Sequence, residues 1–120
     1  VRQQKLTMKD QNMPDWCESQ EWCPVTVTSE LLSRKWHPVI IHRLLQRPMG
    51  FNELQREVHH ISDKVLSDSL EDLCEKNIVE KKILSERPKE VEYSLTEVGE
   101  SLEKVIMPMF EWGWDNASKL

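Results

Sequence analysis

Residues 62–95 read SDKVLSDSLEDLCEKNIVEKKILSERPKEVEYSL, and the spacing of their apolar side chains changes partway along. Leu66, Leu70, Leu73 and Cys74 follow steps of four, three and one, which places them on one face of a helix. Ser62 is a good N-cap for that helix, and Asn77 suits the left-handed residue that ends one. From Ile78 the period falls to two. Val79, Lys81 and Ile83 alternate with Glu80 and Lys82, and Val91, Tyr93 and Leu95 alternate with Glu92 and Ser94. Between these runs the polar segment Ser85-Glu86-Arg87-Pro88-Lys89-Glu90 contains a proline. The stretch is therefore expected to be a helix followed by an antiparallel hairpin with a basic loop at its tip.

Working upstream, Phe51, Leu54 and Val58 point inward from a brief helix that Asn52 is expected to cap, with Gln55 placed to reach back. His59-His60-Ile61 is the turn between the two helices. Earlier still, Trp36, Ile40, Ile41, Leu44 and Leu45 form a broad apolar stripe, with Trp36 expected in the core. Pro38 must then lie in the first turn, and Arg47-Pro48-Met49-Gly50 ends the element. Cys23-Pro24 opens a further helix, with Val27, Leu31 and Leu32 on one face. Downstream, Thr96 caps a final helix whose face continues through Leu102, Val105, Ile106, Met109 and Gly113, with a kink expected at Pro108. Four helices, a hairpin and a helix describe a mainly α (α+β) fold, a winged helix-turn-helix with extra helices at both ends. Residues 1–15 lack periodicity and read as a flexible arm, leaving 16–120 as one domain.

Charge is segregated along these elements. The total is −5, which argues against a protein that coats DNA through general basicity. Residues 33–47 nevertheless carry Arg34, Lys35, Arg43 and Arg47 with no acid, and residues 81–89 carry Lys81, Lys82, Arg87 and Lys89 against Glu86 alone. Residues 62–77 are acidic by three charges and residues 90–120 by five. Three cysteines without framework spacing point to a reducing, cytoplasmic compartment. No apolar run approaches the ~20 residues of a membrane span, and the polar start VRQQKLTMKD does not read as a signal peptide.

Five segments, in order, resemble the HxlR-type winged helix-turn-helix transcriptional regulators, relatives of the MarR group. They are Cys23-Pro24-Val25, Arg34-Lys35-Trp36, Phe51-Asn52-Glu53-Leu54, Ile61-Ser62-Asp63-Lys64-Val65-Leu66 and Val91-Glu92-Tyr93-Ser94-Leu95-Thr96-Glu97-Val98-Gly99. The resemblance implies a homodimer on an inverted repeat of duplex DNA. It makes the helix from Ser62 the recognition helix, Arg87–Lys89 the wing tip, and the terminal helices the dimer interface. It also implies an oxidant- or electrophile-sensing role for Cys23. One departure is Asp68-Ser69, where the family usually has a basic or amide residue before the leucine.

Within that frame Arg34, Lys35, Arg87 and Lys89 are the phosphate candidates, and Ser62, Lys64 and Ser67 the base-reading candidates. Cys23 sits where a helix dipole favours the thiolate, and Cys17 is a candidate resolving partner. Five tryptophans exceed what a small monomer buries, so Trp16, Trp22, Trp112 and Trp114, with Met109 and Phe110, are assigned to a dimer interface. An oxidant or small-molecule effector would act by changing the dimer's geometry. Cys17, Cys23, His59 and His60 lack metal-ligand spacing, so no metal or other cofactor is expected. Nor is an enzyme expected, because no nucleophile–base pair or glycine-rich phosphate loop is present. The competing reading is a winged-helix module for a protein partner, supported by the acidic helix from Ser62 and opposed by the two basic stretches.

Overall fold

The computed structural model describes residues 23–120. The expectations for the arm at 1–15 and for Trp16, Cys17 and Trp22 lie outside the described residues. The described chain falls into two units, which divide between Arg34 and Lys35.

The first unit carries α1 (Pro24–Leu32), with Cys23 at its N-cap and Pro24 in the first turn. Val27 is exposed and Leu31 and Leu32 are half-buried, so the expected apolar face is only partly covered.

The second unit contains α2 (His37–Leu44), α3 (Phe51–Glu57), α4 (Asp63–Glu75), β1 (Val79–Glu86), β2 (Lys89–Leu95), α5 (Glu97–Ser101) and α6 (Glu103–Asn116), closed by a single 3₁₀ turn. Its core is Ile40, Ile41 and Leu44 from α2, Leu54 and Val58 around α3, Leu66, Leu70 and Leu73 from α4, and Ile106 from α6. Ile78, Val79, Tyr93 and Leu95 close it from the base of the hairpin. Trp36, expected inside, is half-buried at the N-cap of α2, where its ring lies under Lys35.

Helix ends follow the expected chemistry in three places. Ser62 Oγ accepts from the Val65 amide, and Thr96 Oγ1 accepts from the Gly99 amide. Asn77 adopts a φ of 64°, the Asn77 amide donates to the Cys74 carbonyl, and the Ile78 amide donates to the Leu73 carbonyl. These paired bonds to the last carbonyls stop α4 and turn the chain directly into β1. At α3 the expectation differs. Gly50 is the N-cap, Asn52 lies inside the helix, and Gln55 reaches forward to the next helix instead of back.

The two strands pair antiparallel from Val79↔Leu95 to Glu86↔Lys89, with an irregularity between Ile83 and Ser85. Pairing thus continues into the expected loop, leaving Arg87-Pro88 as the turn. Met49 and Tyr93 exchange backbone hydrogen bonds of 3.0 and 2.7 Å, so the segment before α3 is tied to β2 like a fragment of a third strand. Beyond that tie the alternation does not produce burial. Ile83 and Leu84 are both about half exposed, because no second layer covers the outer hairpin.

The expected single final helix is two helices, separated at Leu102, with Pro108 inside the second. Helix α6 buries only Ile106 and packs against α2.

Candidate nucleic-acid interface

Helices α3 and α4 are joined by a short turn in which His60 takes a left-handed φ of 69°. The joint is fastened by Gln55, whose side-chain amide donates to the Ile61 carbonyl and to the Asp63 carboxylate. On its inner side α4 buries Leu66, Ser69, Leu70 and Leu73. Ser62, Asp63, Lys64, Val65, Ser67 and Asp68 remain exposed over the first two turns, the part of a recognition helix that reaches base edges.

Three of the five acids on α4 are held by side-chain partners. Asp63 holds Gln55, and Lys64 Nζ donates to Asp68 at 3.1 Å. Asp72 accepts from Lys76 Nζ at 2.8 Å on both oxygens and from His37 Nε2 at 2.8 Å. The lysines in these pairs belong to the same segment, so its excess of three acids stands, with Ser62, Val65 and Ser67 exposed beside the pairs.

His37 had no signal in the sequence beyond preceding a proline. It is 1% exposed, and its Nε2–H grips α4 from the first turn of α2. The Lys76 and His37 hydrogen bonds hold the Asp72 carboxyl at about 2, below its ordinary 3.8. A depressed carboxylate contributes stability above its unfolded pKa and loses it as pH falls through the folded one. Asp72→Ala is therefore expected to cost about 1–3 kcal/mol at neutral pH, the penalty for leaving the buried imidazole without its acceptor. In urea titrations the gap from the parent should narrow between about pH 4 and 2. A gap constant across that range would refute the pairing.

The remaining candidates are placed as follows. Arg87 and Lys89 are exposed at the hairpin tip, with Lys89 opposite Glu86 in register. Lys35 is exposed with its Nζ 4.9 Å from the centre of the Trp36 ring, and Arg34 is exposed in the first unit. Ser62, Lys64 and Ser67 are brought together on α4, and Arg87 with Lys89 on the wing. Cys23 is buried at the start of α1, whereas Cys74, expected in the core, is half-buried and its thiol is pushed up by burial.

A second surface lies on α6. Met109, Phe110, Trp112 and Trp114 are exposed, Trp114 by 78%. Phe110 stacks on His42 of α2 at 5.1 Å and lies 5.9 Å from the Trp114 ring. Burial, and then Arg43, lower the His42 pKa, which favours the neutral ring in that stack. Beside it a cavity of about 290 Å³ is lined by Pro38, Val39, Ile106 and Met109 among others.

Comparison with known proteins agrees with this architecture. A chain of Porphyromonas gingivalis W83 assigned to the MarR family of transcriptional regulators is 38% identical and superposes with a TM-score of 0.76 over 80% of this chain and 94% of that one. The redox regulator HypR in its oxidised form is 34% identical, with a TM-score of 0.73 over 78% of this chain and 97% of HypR. The transcriptional regulator YodB of Bacillus subtilis is 37% identical over 91 residues, 75% of this chain and 81% of YodB. Its reduced form superposes with a TM-score of 0.67 over 77% of this chain and 91% of that one, and a diamide-treated form is also known. Residues 31–120 match the HxlR-like helix-turn-helix family. The chain belongs to that family of transcriptional regulators.

Proposed function

We propose that the protein is a homodimeric, sequence-specific DNA-binding regulator, with α4 in the major groove and the wing on the flanking phosphates. The observation that carries the reading is the outer face of α4. It is exposed over its first two turns, three of its five acids are held by Gln55, Lys64, Lys76 and His37, and it is fixed to both preceding helices by side-chain hydrogen bonds. The basic stretches at residues 33–47 and 81–89 oppose the competing reading of a module for protein partners, whose main support is the acidity of this helix.

Dimerisation is supported by the exposed row Met109, Phe110, Trp112 and Trp114, the residue types enriched at interface cores. A two-fold dimer places its two copies of α4 about 34 Å apart on an inverted repeat. Cys23 is the proposed sensor, at a helix N-terminus where the dipole favours a thiolate, and relatives that include a redox regulator support it. Cys17 is its proposed partner in a disulfide.

Light scattering is expected to give the dimer mass at micromolar concentration. Fluorescence anisotropy on DNA upstream of the gene should show binding about 10³-fold tighter than to scrambled duplex, with a steep salt dependence. Diamide should release the parent from DNA but not Cys23→Ser. A monomer mass, or equal binding to both duplexes, would remove the dimer or the operator from the reading, and equal release of both proteins would remove the sensor.

A further inference from the structure

Resting on that DNA-binding reading, we infer that Val65 reads the 5-methyl group of thymine and is the principal sequence-discriminating residue of the helix. Of the side chains in the first two turns of α4, most are already engaged. The Ser62 hydroxyl oxygen accepts from the Val65 amide, Asp63 is held by Gln55, Lys64 and Asp68 hold each other, and Leu66 is in the core. The Ser62 hydroxyl keeps its proton to donate and Ser67 is open, and Val65 is the exposed apolar side chain between them. Val65 is 39% exposed on a surface that is otherwise polar over these turns.

A β-branched residue is a poorer helix former than alanine, leucine or lysine, so local propensity does not favour it. The Val65 side chain is 39% exposed, which leaves part of it open to a groove. An apolar, conformationally stiff side chain on the groove-facing part of a recognition helix has one complement among base edges. The major groove presents hydrogen-bonding groups on every base pair and a single apolar group, the thymine methyl. The χ1 restriction of valine also fixes its two methyls before binding, so little side-chain freedom is lost on contact.

The test begins with in vitro selection from a random duplex library using the full chain. The selected half-site is then synthesised with deoxyuridine in place of each thymidine in turn, which deletes the methyl and leaves base pairing intact. At one position the parent protein should bind about fourfold more weakly, and about fifteenfold when both half-sites are changed, the effect of one and two lost apolar contacts. Val65→Ala should bind the thymine duplex as weakly as the parent binds the uracil duplex, with no further loss on substitution. Val65 is 39% exposed, so melting curves of parent and variant are compared first, and each protein's ratio of thymine to uracil binding is read well below its midpoint, where a folding difference cancels.

A selected half-site at which no uracil substitution weakens binding would overturn the inference while leaving sequence-specific binding in place. So would a Val65→Ala protein that keeps the parent's preference for thymine over uracil. Failure of the selection to yield any preferred sequence would overturn the DNA-reading function itself, and this inference with it.

Discussion

Gly99→Ala is expected to cost about 3 kcal/mol and to lower the melting temperature of the protein by about 10–20 °C. The cause is a close approach between the start of α5 and the start of the hairpin. A Cβ at position 99 would stand 2.2 Å from the Ile78 carbonyl oxygen and 3.1 Å from Leu95 Cδ2. The backbone cannot easily retreat. Thr96 donates from its amide to the same Ile78 carbonyl at 3.0 Å and from its hydroxyl to the Asn77 carbonyl at 2.7 Å, while Gly99 is bonded to the Thr96 hydroxyl. Added volume must break one of these bonds or displace Ile78 and Leu95 from the core. Gly113→Ala supplies a contrast of opposite sign. It lies within α6 with nothing inside 4 Å of the added methyl, so alanine there should stabilise by about 0.5–1 kcal/mol. Thermal unfolding followed by circular dichroism checks both. Equal effects at the two glycines would show that backbone freedom, and not the contact with Ile78, governs position 99.

The second large effect concerns the wing. If Arg87 and Lys89 each meet a phosphate, a dimer loses four contacts when both are replaced by alanine. Each lost contact flattens the slope of log affinity against log salt by roughly one, so the slope should fall by about four. Near 0.1 M salt the affinity should drop about 10²–10³-fold, and equally on specific and scrambled duplexes, because phosphate contacts carry no sequence information. Both residues are exposed at the turn of a solvated hairpin, so folding should not change. A loss confined to the specific duplex would mean that the tip reads bases, and an unchanged slope would remove the wing from the interface.

The fold was legible where one residue type has one local role. Ser62, Thr96 and Asn77 act at helix ends as their side chains dictate, and the change of period at Ile78 locates the hairpin. Legibility failed where tertiary contacts choose between local options. Asn52 is a better cap than Gly50, but the Cβ of any other residue at position 50 would press on the Val91 carbonyl at 3.2 Å, so the helix starts where β2 allows. The final helix reads as continuous in the sequence, yet a break falls at Leu102, where no residue preference announces it, and α6 continues through Pro108. On the candidate interface, Ser62, Lys64, Ser67, Arg87 and Lys89 were identifiable from position and charge. Gln55, His37 and Asp72 were not recognised as its fasteners, since their bonds link different helices and leave no periodic trace. Val65 was hidden for another reason. An apolar residue in a helix is first read as core, and only its exposure shows otherwise.

Helix α2 is eight residues long, and its two histidines face different neighbours. His37 holds Asp72 of α4, while His42, five residues on and about 140° around the axis, lies flat on Phe110 of α6. Two turns of helix contain no joint at which motion could be absorbed. The Asp72 contact and the Phe110 stack are therefore held at a fixed offset by one rod about 12 Å long. Loss of either imidazole contact would remove the polar link at one end and leave the shared core of Ile40, Ile41, Leu70 and Ile106 as the remaining tie between α4 and α6.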